Sequence, residues 1–314
     1  MSTPTTHETV LLTEAVAGLA ICPSDVVVDA TIGGAGHFKA LLEELDSQGT
    51  LIGIDADSEA IMRAKEASQG ASARVILAED NFRNLGALLD ANGIATIDKA
   101  LFDLGWSAFH LTAGKGFSFQ VDEPLLMTYG TPREGSTAAD MLNSAPEETL
   151  ADIFFTLGEE RFARSIARAV VERRHRARIL TTRDLVEAVM EGTPSWYHHR
   201  RIHPATKTFQ ALRIAVNDEL NALREGIQSA LTRLNAGGRV AVISFHSIED
   251  RIVKLLLRDA AHQGFGTLVT KKPIVPSYAE CVRNPRARSA KLRIFEKAEV
   301  AVASKEHDTS YIYA

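Results

Sequence analysis

Three short apolar runs in this chain each end on an aspartate: Val26-Val27-Val28-Asp29, Leu51-Ile52-Gly53-Ile54-Asp55 and Lys99-Ala100-Leu101-Phe102-Asp103. Apolar runs of this length, bounded by turn residues, read as strands buried on both faces of a parallel sheet. The terminal acids then lie together at the carboxyl edge of the sheet, where open α/β sheets bind ligands. Helical patterns separate the runs: Phe38–Leu45, and Ser58–Ala67 with Ser58 as its expected N-cap. Arg74–Leu77 adds a further strand. The alternation predicts an α/β fold, a doubly wound sheet with crossover helices.

The rhythm changes near Leu111. From there to Ala205 the pattern is mostly helical, clearest at Ala151–Leu157, Arg161–Arg174 and Arg183–Met190. Thr208–Leu234 reads as one long amphipathic helix closed by Gly237-Gly238. Arg239–Phe245 returns to strand character, and Gly266–Thr270 can pair with Lys291–Phe295 as late edge strands. The expected organisation is one α/β domain from residues 1–110 and 206–298, a small helical domain inserted at 111–205, and a frayed tail at 299–314. No apolar run reaches the roughly 18 residues of a spanning helix, and Met1–Glu8 is too polar for a signal peptide. Cys22 and Cys281 support neither a disulfide framework nor a metal cluster, so a cytoplasmic chain without metal is expected.

The turn Asp29-Ala30-Thr31-Ile32-Gly33-Gly34-Ala35-Gly36-His37 lets backbone pass close to a ligand, since glycine tolerates unusual dihedrals. Asp55, about 20 residues beyond, is placed to accept both hydroxyls of a ribose. Nicotinamide enzymes and methyltransferases share this geometry. Two features favour S-adenosylmethionine. The turn is no clean G-x-G-x-x-G, and Asp80-Asn81-Phe82 offers a polar group and a ring that could hold an adenine, although Phe82 fits ordinary core equally well.

The net charge of −5 argues against a polyanion, but the distribution matters more than the sum. Arg161 to Arg183 contains eight arginines and one acid, Glu172, and Arg283 to Arg293 contains five basic residues and no acid. Either patch alone reads as a solvated face; together they point to a nucleic-acid partner. Arg161 and Arg164 on the first, with Arg286 and Arg288 on the second, are the candidate phosphate contacts.

The motifs resemble the bacterial family of 16S rRNA (cytosine-1402, N4)-methyltransferases. The likeness runs from His7-Glu8-Thr9-Val10-Leu11-Leu12 almost to Arg293, through Asp103-Leu104-Gly105, Gly116-Phe117-Ser118-Phe119 and Gly158-Glu159-Glu160-Arg161-Phe162-Ala163. It continues in His203–Ile214, Phe245-His246-Ser247-Ile248-Glu249-Asp250-Arg251 and Asn284–Ser289. The resemblance implies a Rossmann-like class I methyltransferase with an inserted helical domain. It also implies S-adenosylmethionine as cofactor and, as substrate, a cytosine in the decoding region of 16S rRNA on a small-subunit particle. The family's cofactor contacts fall on Ala35, Gly36, His37, Asp55, Phe82, Asp103 and His110, beside the glycines Gly33 and Gly34. The chain departs from the family where Ala35 replaces a glycine, Phe38 a serine and His110 a glutamine. Pro124-Leu125-Leu126-Met127-Thr128-Tyr129 also lacks an aspartate and an arginine that relatives carry.

Asp103 is the candidate catalytic residue, orienting the methionyl part or accepting a hydrogen bond from the exocyclic amine; capping the next turn is its alternative role. Carbon-5 methylation would need a cysteine nucleophile, and neither cysteine ends a strand. A base must leave its stack to enter such a pocket, and Trp106 and Phe109 are candidate stacking faces. His246-Ser247 with Glu249-Asp250 has a hydrolase look without a G-x-S-x-G elbow. Ser247 with Asp250 fits a helix cap better, leaving His246 to face the crevice as a substrate contact. His199 and His203 have metal-like spacing, which Pro204, Arg200 and Arg201 argue against. The rival readings are a nicotinamide oxidoreductase, a non-catalytic ribosome-binding factor, and a methyltransferase of DNA or protein.

Overall fold

The computed structural model describes residues 8–105, 114–130 and 136–299. Helix α1 (Leu12–Leu19) leads into β1 (Val26–Asp29), α2 (Gly36–Glu43), β2 (Thr50–Asp55), α3 (Ser58–Ala67) and β3 (Arg74–Glu79). A 3-10 turn at Phe82–Asn84 precedes α4 (Leu85–Ala91) and β4 (Ile97–Asp103). Among the described residues five helices follow: α5 (Ala138–Ser144), α6 (Glu147–Thr156), α7 (Ala163–Arg174), α8 (Thr182–Glu191) and α9 (Ser195–His198). The chain then runs through α10 (Thr206–Asn217), α11 (Glu219–Arg233), β5 (Leu234–Ser244), α12 (Ser247–His262), β6 (Gly266–Leu268), α13 (Tyr278–Arg283), a 3-10 turn at Pro285–Ser289 and β7 (Lys291–Lys297).

The seven strands form one sheet in the order β3-β2-β1-β4-β5-β7-β6. The first five are parallel, and β7 runs antiparallel between β5 and β6. Strand order reverses between β1 and β4, the switch point at which doubly wound sheets bind ligands. The register holds Asp29 beside Gly53 and Leu101, and Asp103 beside Ile243. The α/β, Rossmann-like expectation is met, and β7 proves to be an interior strand rather than an edge.

Two apolar cores cover the sheet. One packs α1, α2 and α3 with Val27, Leu51 and Leu101; the other packs α4, α11 and α12 with Val28, Ile52 and Phe102. Neighbouring positions such as Val27 and Val28 face opposite cores, as strand periodicity requires. A third core, from Phe117 to Leu212, binds α5–α8 to α10. Its helices start on chemical signals: Thr137 with Asp140 and Thr181 with Asp184 form capping boxes at α5 and α8.

The long pattern expected at Thr208–Leu234 is two helices. Asp218 adopts the left-handed conformation (φ 48°, ψ 42°), ending α10 and starting α11. Its carboxylate accepts hydrogen bonds from Arg83 Nη2 and Asn221 Nδ2, both at 2.7 Å. Helical periodicity persists across such a break because one residue in a left-handed turn redirects the axis without altering the apolar spacing. Gly237-Gly238 do not close a helix but lie within β5. Pairing skips from Ile97–Leu234 to Lys99–Arg239, so these glycines form a bulge. A Cβ on Gly238 would stand 2.7 Å from the Asp98 carbonyl oxygen.

Two expected caps also shift. Asp57, not Ser58, caps α3 by accepting from the Glu59 amide. His246, not Ser247, caps α12 in a reciprocal box with Glu249. Ser247 instead donates to Glu159 Oε2 at 2.8 Å, and Asp250 pairs with Lys291 and Arg293 at 2.8 Å each.

Candidate active site

The site is built from strand ends. The Asp103 amide donates to Thr31 Oγ1 at 2.7 Å, tying the end of β4 to the turn after β1. Asp55 Oδ2 accepts the Gly33 amide at 2.8 Å and Oδ1 accepts the Asp57 amide at 2.9 Å. Arg63 Nε donates to the Gly33 carbonyl at 3.0 Å, so the glycine turn is held from two sides. Gly33 and Ala35 both take positive φ, 51° and 62°. Ala35 thus occupies a backbone shape that costs an L-residue about 1–2 kcal/mol relative to the right-handed one. At Gly36 the requirement is space: an added Cβ would meet Thr9 Oγ1 at 1.7 Å.

His37 is buried at 3% exposure, and its Nδ1 lies 3.3 Å from Asp103 Oδ2. Asp29, fully buried at the end of β1, accepts the Thr31 amide through Oδ1. Asp29 Oδ2, His37 Nε2 and Asp103 Oδ1 have no hydrogen-bond partner among the described residues. Buried polar atoms are normally satisfied, so three such atoms at one edge mark a place for a ligand or water. Burial pushes the Asp29 carboxyl up to about 7, opposed by His37 and reinforced by the charges of Asp103 and Asp55. Burial also raises Asp55 despite its two amide donors. For His37, burial acts downward, but the hydrogen bond and charge of Asp103 outweigh it and hold the imidazole above its usual value.

The remaining expected residues separate into groups. Gly33, Gly34, Ala35, Gly36, His37, Asp55 and Asp103 line one edge around the switch point. Phe82 packs edge-to-face on Phe102, centroids 5.7 Å apart, and touches the Gly226 position, so much of its ring belongs to the core. Trp106, Phe109 and His110 lie outside the described residues. His246 follows β5; its Nδ1 accepts the Glu249 amide, and its Nε2 stands 3.0 Å from Glu249 Oε1 without hydrogen-bond alignment. Glu219 joins these two in a cluster with metal-like donor spacing. Its oxygens already accept from Arg213 and from the Tyr129 hydroxyl, which leaves the carboxylate compensated. His203 stacks on Phe119 and accepts the Ala205 amide, while His199 is exposed.

The basic patches are not uniform. Arg173 is spent on Asp184, Glu187 and Glu191, and Arg174 donates to the carbonyls of Leu142 and Ala145. Arg161 and Arg164 are exposed and make no ion pair among the described residues. Arg286 and Arg288 are likewise exposed, on the turn before β7, whose Lys291 pairs with Ser244 at the carboxyl end of β5. Asp29, though expected at this edge, and Thr31 were not among the expected contact residues. The acid ending β1, parallel to Asp55 and Asp103, was the signal for the first; nothing local marks Thr31.

Comparison with known proteins gives a consistent result. The family model described as the MraW methylase family matches residues 4–298. A protein of Brevibacillus brevis named "Ribosomal RNA small subunit methyltransferase H" is 43% identical over 93% of this chain and 98% of its own. A Deinococcus deserti protein of the same name is 45% identical over 95% of each chain.

Proposed function

The chain belongs to the MraW methylase family, and from that premise we propose that it is an S-adenosylmethionine-dependent methyltransferase that modifies N4 of cytosine-1402 in 16S rRNA. The observation that carries this reading is the ring of acids at the switch point: Asp55 beside the glycine turn, and Asp103 with an unpartnered oxygen. The residues suit the cofactor. Asp55 stands where a ribose diol needs an acceptor, the turn exposes backbone, and the unpartnered Asp29 Oδ2 suits the cofactor's ammonium group, leaving Asp103 Oδ1 for the substrate.

S-adenosylmethionine, when bound, supplies an activated methyl group. Cytosine's exocyclic nitrogen is a weak nucleophile because its lone pair is delocalised into the ring, so positioning must supply much of the rate. Asp103 Oδ1 accepts a hydrogen bond from that amine and stabilises the positive charge that develops on it. His37 Nδ1 steadies the other oxygen, Oδ2, so that the carboxylate keeps its orientation. Asp29 and Asp55 fix the turn through the Thr31 and Gly33 amides. Trp106, Phe109 and His246 are assigned to the flipped base, and Arg161, Arg164, Arg286 and Arg288 to phosphates. The helical core from Phe117 to Leu212 is read as the substrate-recognition part, with Asp218 as its junction to the α/β part.

Mass spectrometry of rRNA digests tests substrate and atom together. Cells lacking this protein are expected to lose one N4-methylated cytidine from small-subunit rRNA, and the purified protein with S-adenosylmethionine to restore it on isolated subunits. An unmethylated particle after incubation would end the proposal.

A further inference from the structure

On the helical part, aromatic rings and guanidinium groups form a ridge that includes none of the strand-end acids. Trp196 on α9 is 52% exposed and packs edge-on to Phe162 and Tyr197, with centroids 5.8 Å away in both cases. Phe162 meets Tyr197 at 4.9 Å. The Arg161 guanidinium lies over two rings, 4.9 Å from the centroid of Phe162 and 5.4 Å from that of Trp196, and Arg200 lies 5.3 Å from that of Tyr197. Beside them runs a groove of about 440 Å³ that includes Phe155, 62% exposed, together with Arg161, Arg164 and Arg168. Asp152 is the acid on its wall, and Arg168 shares its charge with Glu147 at 3.8 Å.

This ridge is a built surface. Glu160, fully buried, accepts the Tyr197 hydroxyl at 2.8 Å and the Phe162 amide at 2.9 Å, which locks α9 to the start of α7. The adjacent Glu159 pairs with Arg251 at 2.8 Å and accepts from Ser247 at 2.8 Å. Those contacts anchor the ridge to the first turn of α12, which begins three residues after β5 ends at the ligand-binding edge. Surface contacts of Glu159 thus link the ridge to the turn that follows β5.

We propose that this ridge is a single-stranded RNA platform, on which Trp196 stacks a base while Arg161 and Arg164 hold flanking phosphates. The inference rests on the rRNA methyltransferase reading and adds a second contact region to it. Every base has a stackable face, whereas a duplex hides those faces, so an exposed indole edged by guanidinium groups favours unpaired RNA. The charge fits the same occupant: Arg161 and Arg164 lack acidic partners among the described residues, although the whole chain is anionic.

The test uses the full chain and a labelled single-stranded oligoribonucleotide of about ten nucleotides, within the site sizes of such platforms. Fluorescence anisotropy is expected to show at least tenfold weaker binding for Trp196→Ala. For Arg161→Gln/Arg164→Gln, the slope of log affinity against log salt should fall by about 1.4, at ~0.7 per lost phosphate contact. Both variants should keep the parent's S-adenosylmethionine affinity by calorimetry, which separates a lost platform from a misfolded chain. A duplex RNA of equal length should bind more weakly and be insensitive to Trp196→Ala. Unchanged RNA binding in both variants, or a preference for the duplex, overturns the platform even if the parent methylates small subunits. Failure of the parent to methylate them counts against the methyltransferase reading instead.

Discussion

At the scale of single residues, the acids at the strand ends do different work despite identical chemistry. Asp55 is held by two amides and fixes the turn, and the ribose contact proposed for it would fall on the same carboxylate. Asp55→Ala is expected to raise the S-adenosylmethionine dissociation constant at least tenfold, about 1.4 kcal/mol, in a calorimetric titration; an unchanged constant would remove that role. Asp29 carries the clearest electrostatic cost. Burial pushes its folded carboxyl up to about 7 from the ordinary 3.8, so folding favours the protonated form. The sign follows: the associated stability is fully present below about pH 4 and is lost as pH rises through 7. Asp29→Asn should therefore stabilise the unliganded protein at pH 8, by at most about 4 kcal/mol at 1.36 kcal/mol per pKa unit. That advantage should fade toward pH 4 in urea titrations. A pH-independent difference would mean that burial does not set this titration. The position of these acids could be read from apolar runs, but their unequal titration could not, because burial and mutual repulsion arise only once the strands are adjacent.

At the scale of elements, local chemistry marked most helices and strands and misplaced some ends. Capping boxes at Thr137 and Thr181 obey short-range rules, yet α12 is capped by His246, a choice that depends on Glu249 folding back to the Phe245 and His246 amides. The Asp218 break was invisible for a related reason. Apolar spacing continues through it, and the left-handed residue is paid for by Arg83, far away in sequence. Gly36 shows how an element start depends on a distant segment. In Gly36→Ala the new methyl would meet Thr9, so denaturant melts should show a loss of roughly 1–3 kcal/mol, the usual cost of overpacking. A melt within error of the parent would mean that the segment around Thr9 yields freely.

At the scale of the whole molecule, a buried charged group sits at the junction between the sheet and the helical core. Arg213 on α10 grips Glu219 on α11 through two hydrogen bonds, 2.9 and 2.8 Å, across the Asp218 break. The Tyr129 hydroxyl donates to the same carboxylate, and Asn217 accepts the Tyr129 amide while donating to the Met127 carbonyl. Burial acts to lower Arg213, but Glu219 and neighbouring acids more than offset it, so the guanidinium stays charged. Arg213→Met would leave Glu219 without its counter-charge at a nearly closed interface. Chemical denaturation should register a loss of about 3–5 kcal/mol. If stability were unchanged, the junction would have to rest on apolar packing alone.

Apolar runs ending in acids, a glycine turn and an arginine-rich segment were sufficient by themselves to determine the α/β class, the gathering of acids at the carboxyl edge of the sheet and the presence of basic surface, because each depends on periodicity or composition within one segment. Tertiary structure decided which carboxylates meet at one sheet edge, which arginines remain available and where the helical part joins the sheet. Arg173 and Arg174 read like Arg161 and Arg164 along the chain, but the first two are consumed by neighbouring acids and carbonyls while the second two stay exposed. Charge and burial are properties of neighbours in space, and segments far apart in the chain, such as those carrying Arg83 and Asp218, become neighbours only in the fold.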